Sequence, residues 1–411
     1  MRSGQTSYKN ISIFTVQCQS FLIFNPITLR NIRLAYNLHM QNNDYDHLYY
    51  PLIGTLKNRL PTPALVIDLP ALEFNLDLMG DFFRQRKTKL RPHFKTHKCS
   101  EIAHQQINSG AIGITCAKLS EAEVLANTGL TNILLANQVV DPRKIERLVK
   151  LAKNCHLIVA VDRLDNLVRI DRTAVEAGSV VHILIEVDVG LHRSGVEPGE
   201  PTLALAKEAA KLTGIHFSGL LGYEGFTMFE VDRDLRQKNA QNAMEVLVRT
   251  GELIRQAGIP VEIVSAGGTG TYDLTGDFPG VTEVEAGSYV FMDTKYNRLG
   301  LAFKQSLTLL AMVTSVNQPG RCIIDAGMKS LTTDNGLPEI LSPRGLKFLK
   351  LNEEHGIVSV SSEEACPEIG SYIEIIPSHV CITVNLHDRY YVTQAERLVD
   401  IWEISGRGKS Q

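Results

Sequence analysis

The chain of 411 residues is 44% hydrophobic and 21% charged, with a net charge of −3. That balance suits a globular protein long enough for two domains, and it offers no basic surface for nucleic acid or an anionic membrane. No apolar run reaches the length of a membrane span, and the seven cysteines (18, 99, 116, 155, 322, 366 and 381) follow no paired spacing, which points to a reducing cytoplasm.

Residues 1–50 stand apart. The first 43 contain no Asp or Glu but carry Arg2, Lys9, Arg30 and Arg33. They read as a disordered or artefactual leader, with Met40 as an alternative start. A basic, acid-poor targeting segment is the other reading. Residues 64–69 then form an apolar run predicted as a strand, and 70–83 a helix.

From residue 90 the pattern becomes rhythmic. Short apolar runs at 90–95, 113–118, 132–137, 156–162, 181–189, 217–223, 262–266 and 282–287 alternate with amphipathic stretches such as 142–153 and 232–257. Near-continuous apolar character suits parallel strands buried on both faces. Eight strand–helix repeats in roughly 200 residues predict an α/β fold, a (β/α)8 TIM-like barrel over 60–300. An open doubly wound sheet is the alternative, but no Gly-x-Gly-x-x-Gly follows the first strand. The run at 64–69 is one strand too many, so residues 50–70 are expected to pack with the second domain.

That domain, 301–405, is read as mainly antiparallel β. Runs at 306–317, 321–325, 356–360, 372–376, 380–385, 389–393 and 397–404 look like strands without intervening helices.

Several residues suggest chemistry. Lys95 ends the first barrel strand, where a barrel's mouth lies. Its neighbours Arg91, His93, His97 and Lys98 form a cationic cluster expected to favour the neutral amine that a Schiff base requires. The bland reading is a solvated basic strand end. The segment Ser265-Ala266-Gly267-Gly268-Thr269-Gly270-Thr271 closes the seventh strand. Its glycines and hydroxyls let backbone approach an anion, and Ser288 and Tyr289 after the eighth strand could complete a phosphate seat. A plain glycine turn fits equally. Arg193 follows the fifth strand and could donate to a phenolate or carboxylate. Tyr223 ends the sixth and could face a ring, or fill the core. His379 and Cys381, two apart in an expected strand, would point to the same face. Imidazole and thiolate together suit zinc, although a buried cysteine is often only a small apolar side chain. His355 has no role that spacing can assign.

Together these residues resemble the fold-type III pyridoxal-phosphate enzymes, and within them the D-threonine aldolase / D-serine dehydratase family. The resemblance rests on Arg91-Pro92-His93-x-Lys95-Thr96-His97-Lys98, on Glu353-Glu354-His355-Gly356 and on Pro377-x-His379-x-Cys381, and runs from Thr62 to about Val392. It implies that Lys95 is the Schiff-base lysine and that Gly267, Gly268 and Thr269 hold the phosphate of pyridoxal 5'-phosphate. It further implies that Arg193 faces the phenolic oxygen, that Tyr223 sits beside the ring, and that His379 and Cys381 bind a divalent metal. It also implies a homodimer and a small D-amino acid as substrate.

The family's chemistry divides two ways on a β-hydroxy-D-amino acid. Removal of the Cα proton with loss of hydroxide gives an oxo acid and ammonia. Removal of the β-hydroxyl proton with Cα–Cβ cleavage gives glycine and an aldehyde. Family dehydratases resemble the His-x-Cys pair, and aldolases more often resemble His-x-Asp. Cys381 therefore favours dehydration, while the following Thr383-Val384-Asn385-Leu386-His387-Asp388 looks like the aldolase branch. Thiolate is soft, so zinc is expected over manganese or magnesium. The rivals are a racemase of the same fold, a non-catalytic pyridoxal-phosphate carrier, and a barrel with no cofactor.

Overall fold

A computed structural model describes residues 50–361 and 367–411. All but the last residue of the expected leader lies outside them, as do Cys18 and Cys366. Cys99, Cys116, Cys155 and Cys381 are free thiols, and no helix among the described residues is long and apolar enough to cross a membrane. Residues Leu52–Gln411 form one compact unit.

The chain begins this unit in strand β1 (Ala64–Asp68) and helix α1 (Leu69–Arg84). Asp68 caps α1 by accepting the amide of Ala71, and Pro70 starts the helix, where a missing N–H costs nothing. Eight parallel strands follow. They are β2 (Lys89–Leu90), β3 (Ile114–Cys116), β4 (Asn132–Leu135), β5 (His156–Val161), β6 (Val181–Glu186), β7 (Ile215–Gly222), β8 (Ile263–Ala266) and β9 (Glu283–Val284). Helices α2 (Ser100–Asn108), α3 (Leu119–Asn127), α4 (Pro142–Ala152), α5 (Leu164–Glu176), α6 (Glu200–Ala209), α7 (Arg233–Gln256) and α8 (Tyr272–Gly276) separate them.

The strands pair in the order β2-β9-β8-β7-β6-β5-β4-β3. The ends meet: the Ile112 amide donates to the Leu90 carbonyl at 2.9 Å and the Thr115 amide to Pro92 at 2.9 Å, with a bridge between His93 and Thr115. The sheet is therefore a closed barrel and not an open doubly wound sheet. Alternate residues Leu134, Ile158, Ala160, Leu184 and Leu221 fill the interior as their own cluster. The opposite faces of the strands join the larger core beneath the helices.

At the N-terminal end of the barrel, His156, His182 and His216 meet edge-on and tilted on adjacent strands, with ring centroids 4.4 and 4.7 Å apart. Burial, aided by its two neighbours, lowers His182 to about 4, and burial also lowers His156. A histidine with a depressed folded pKa binds protons less readily than in the unfolded chain. Its stabilising contribution is complete above the unfolded value and is lost as pH falls toward the folded one. The thermal midpoint is therefore expected to drop between pH 6.5 and 4. His182→Asn should flatten that drop, as unfolding scans at pH 7, 5.5 and 4.5 would show.

The second sheet runs β13-β14-β11-β10-β1-β16-β17, with β15 joining β10 to β12. Its further strands are β10 (Leu307–Ser315), β11 (Arg321–Ile324), β12 (Glu339–Ser342), β13 (Leu346–Leu351), β14 (Gly356–Val360), β15 (Tyr372–Ile376), β16 (Arg389–Gln394) and β17 (Arg397–Glu403). Strand β1 belongs to this sheet: it pairs antiparallel with β10 and parallel with β16. Two strands escape the sequence reading. β12 is largely exposed, and the β13–β14 ladder shifts register at Phe348/Lys350, so neither gives a clean apolar alternation.

One expected strand is a helix. Residues 380–385 form the single turn α9 (Val380–Val384). Val380, Thr383 and Val384 are its buried residues, which is helical rather than alternating spacing. The strand preference of a β-branched run yields to that burial.

Candidate active site

A cleft of about 370 Å³ opens at the C-terminal mouth of the barrel. Lys95, Arg193, Tyr223, Gly267, Gly268 and Thr269 all line it, so six residues spread over 175 positions meet in one place. His93, Gln138, Glu186, Glu285, Ser288 and Tyr296 share the walls.

Lys95 was expected to end its strand, but β2 stops at Leu90 and Lys95 lies five residues on, in a 3₁₀ turn Phe94–Thr96. Pro92 has no N–H for the ladder, but the Arg91 and His93 amides still pair with Val284 and Ala286 carbonyls. His93 caps the turn, its Nδ1 accepting the Lys95 amide at 3.3 Å. The Lys95 ammonium sits 5.7 Å from the centre of the Tyr223 ring, and the Arg193 guanidinium lies at the same distance from that ring.

The cationic cluster around Lys95 does not hold. Arg91 turns away into a bidentate pair with Glu283, both bonds 3.0 Å and both side chains buried. Lys98 is bound by Glu121. Burial keeps His93 and His97 neutral, the latter lowered to about 3. His97 is instead a strut. Its Nε2–H donates to Gln106 at 3.2 Å, Gln106 donates to the Tyr289 hydroxyl at 3.1 Å, and the Tyr289 amide donates to Thr269 Oγ1 at 3.0 Å.

This chain also corrects Tyr289. Its ring is buried outside the cleft, and its part is to hold Thr269. Gly267 is likewise not a free donor, because its amide is taken by Glu224 at 3.1 Å. The same buried carboxylate accepts the Thr271 and Thr275 hydroxyls, each at 2.6 Å. Glu224 thus shapes the glycine loop from behind. Gly267 has φ +78, the left-handed region that favours glycine, whereas a Cβ on Gly268 would press at 2.8 Å on the end of the Met228 side chain. The cradle leaves the Thr269 and Ser288 hydroxyls in the cleft wall, a donor set that fits a phosphate.

His379 and Cys381 meet, although not by strand alternation. His379 is the extended N-cap of α9, and Cys381 sits in its first turn. Cys381 Sγ lies 3.4 Å from Thr96 Oγ1, the residue next to Lys95, and 4.0 Å from Ser288 Oγ. Asp334 holds His379 Nδ1 at 2.6 Å. Burial alone would lower His379, but bonds to Cys381 and Asp334 outweigh it and raise the imidazole to about 9. Burial pushes the Cys381 thiol up, but His379, with help from Lys95, brings it below its usual value. An imidazole oriented by a carboxylate beside a thiolate fits a soft divalent metal. Among the described residues no third His, Cys, Asp or Glu completes a metal-sized group.

His387 and Asp388 take no part: His387 bonds the Ser330 carbonyl at 2.8 Å and Asp388 pairs with Arg407. His355 is exposed in the β13–β14 hairpin. The residues missed in sequence are Glu224, Glu285, Glu186 and Asp334. Glu186 accepts the Ser194 hydroxyl at 2.8 Å and lies 3.6 Å from Arg193. Only Glu283 and Glu285 carried a signal, as two carboxylates inside a short buried strand.

Comparison with known proteins gives two matches in tandem. The model of the alanine racemase N-terminal domain matches residues 67–295, and that of a serine dehydratase domain matches 306–393. A D-threonine aldolase of Arthrobacter sp is 40% identical over 357 residues, covering 86% of this chain and 94% of that protein. A D-threo-3-hydroxyaspartate dehydratase of Delftia sp. strain HT23 is 31% identical over 370 residues, covering 84% and 97%. The crystal structure of D-threonine aldolase from Filomicrobium marinum superposes with a TM-score of 0.86 at 35% identity, over 88% of this chain and 99% of that one. Since the racemase-type barrel model spans more than half the chain and the relatives match along nearly their whole length, the chain belongs to the alanine-racemase-like lyases of the D-threonine aldolase / D-serine dehydratase family.

Proposed function

We propose that the protein is a pyridoxal-phosphate- and metal-dependent lyase that dehydrates a β-hydroxy-D-amino acid to an oxo acid and ammonia. The observation that supports this reading is the contact between Thr96 and Cys381, by which the two residues that would bind a metal lie beside the lysine of the cleft. Lys95 would hold the cofactor by its aldehyde. Arg193 would serve its phenolic oxygen, Tyr223 its ring, and the Thr269 and Ser288 hydroxyls its phosphate, on the loop that Gly267 and Gly268 shape. When bound, the cofactor supplies an electron sink for the pair released at Cα. His379 and Cys381 would hold the metal as a Lewis acid, with zinc favoured over manganese or magnesium by the thiolate.

The chain's own residues then divide the work. The Lys95 amine takes the Cα proton, and Arg193 and Tyr223 fix orientation. Residues 60–300 hold the cofactor and 301–405 the metal pair. The free thiols support a cytoplasmic setting. Exposed Phe226, Phe229, Val231 and Leu235 after β7 give a second copy a surface, supporting a homodimer.

Aldol cleavage to glycine and an aldehyde is the second reading, favoured by the higher identity to the Arthrobacter aldolase. Incubation with D-serine, D-threonine and 3-hydroxy-D-aspartate separates them: dehydration yields ammonia without glycine, and cleavage yields glycine without ammonia. Cys381→Ala is expected to lower metal affinity and turnover by more than about 100-fold while retaining bound cofactor. Metal analysis and absorbance on the same sample check this, and unchanged turnover would remove the metal from the account.

A further inference from the structure

Asp293 is a fully buried carboxylate that belongs to none of the motifs. It lies past β9, in the segment that leaves the barrel for the second sheet. Its partners are backbone amides on both sides of that passage. One oxygen accepts the Lys295 and Tyr296 amides, each at 3.1 Å, and so starts the 3₁₀ turn Tyr296–Leu299 that brings Tyr296 to the cleft wall. The other accepts the Val380 amide at 3.3 Å. Val380 stands between His379 and Cys381 and opens α9. One carboxylate therefore ties the barrel's last loop to the turn that carries both candidate ligands. Burying a carboxylate is costly unless its oxygens are hydrogen-bonded, and an acceptor-only group with two oxygens can serve both segments at once. Neighbouring contacts do not duplicate this tie. The Thr294 amide donates to the Pro377 carbonyl at 3.2 Å, and the Ser378 hydroxyl to the Thr332 carbonyl at 2.8 Å. Both hold the chain before His379, and Asp334 holds the His379 ring. Asp293 grips the backbone between the two ligands.

This inference rests on the metal reading. We propose that Asp293 is the positioning residue of the metal pair: it fixes the turn from which His379 and Cys381 face the Lys95 mouth, and so sets the affinity of a site it does not itself ligate. Two ligands on one short turn have little rigidity of their own, and groups that orient ligands weigh on affinity nearly as much as ligands do. Asparagine exposes the role. It has the same size, but one oxygen becomes an NH2 group. If the remaining oxygen keeps the Lys295 and Tyr296 amides, two donors face each other at Val380, and the turn is pushed off its seat.

The test titrates cofactor-loaded protein, stripped of metal with a chelator, with cobalt(II). The long-wavelength ligand-field bands of a thiolate-bound cobalt report the donor set and lie clear of the cofactor's absorbance. The parent should give a saturable band that Cys381→Ala abolishes. In Asp293→Asn the apparent Kd should rise about 10- to 100-fold with shifted bands, while pyridoxal phosphate affinity by equilibrium dialysis stays within about 2-fold. Cobalt binding equal to the parent's would overturn the proposal. An equal loss of cobalt and cofactor, the mark of a merely structural role, would overturn it too. Val380→Pro gives a second reading, and stands alone if Asp293→Asn does not fold. It removes the donor instead of the acceptor, at the first residue of a helix, where proline is tolerated, and His379 already has the extended backbone needed before it. Val380→Pro should weaken cobalt in the same range. Adding Asp293→Asn to it should change the Kd by less than about 2-fold, because the amide on which the carboxylate acts is gone. An unaltered Kd in Val380→Pro, or full additivity in the double variant, would contradict the proposal. A parent chain with no saturable band, or a band that survives Cys381→Ala, fells the metal reading and this inference together.

Discussion

Lys95→Ala is expected to lose the near-visible absorbance of the loaded protein and to lower turnover on the order of 10⁴-fold or more. Under the proposed function two roles fall on one amine: attachment of the cofactor and transfer of the Cα proton. The side chain also has no substitute nearby. Lys98, three residues on, is bound to Glu121 and buried, and Arg91 is spent on Glu283. The fold should survive, because Lys95 lies in a cleft wall whose backbone is held by His93 and by the ladder through Pro92. Far-ultraviolet circular dichroism should match the parent, while absorbance and product assays should not. A variant that keeps its spectrum would reject the lysine assignment.

Arg91→Met is expected to unfold the protein more readily by about 3–5 kcal/mol, the cost of stranding one partner of a buried ion pair. Both side chains are buried, 3% and 2% exposed, and Arg91 also donates to Asn132 at 2.8 Å. The room for its guanidinium is built in, since any side chain at Gly113 would collide with it. Removing Glu283 as well should recover much of the loss, because two apolar groups of similar volume need no compensation. Denaturant midpoints of both single variants and of the double variant form the cycle that measures the coupling. Equal stability of Arg91→Met and the parent would mean that the pair carries no structural weight.

The barrel was legible in the sequence because a strand buried on both faces must be apolar nearly throughout, and eight such runs are hard to hide. The strand at 64–69 was legible as an outsider by simple count, and β1 does join the second sheet. Lys95, Arg193, Tyr223 and the Gly267–Thr269 turn were legible as strand ends, which a barrel gathers at one mouth. What the sequence concealed was pairing across distance. Arg91 and Lys98 looked like free cations because their partners stand 192 and 23 residues away. Glu224 looked like an ordinary strand-end acid, yet it fastens the glycine turn 43 residues later. His379 and Cys381 were paired for the wrong local reason. A strand would have aligned them, but an N-cap followed by one helical turn does so instead, and Asp334, which orients the imidazole, lies 45 residues earlier.

The central claim is the covalent bond between Lys95 and the aldehyde carbon of pyridoxal phosphate, and one measurement reaches it directly. The loaded protein is reduced with borohydride, digested, and its phosphopyridoxyl peptide sequenced by mass spectrometry. The account predicts a single modified lysine, residue 95, in near-stoichiometric yield. A label on any other lysine, or none on protein that carries a full complement of cofactor, would contradict it.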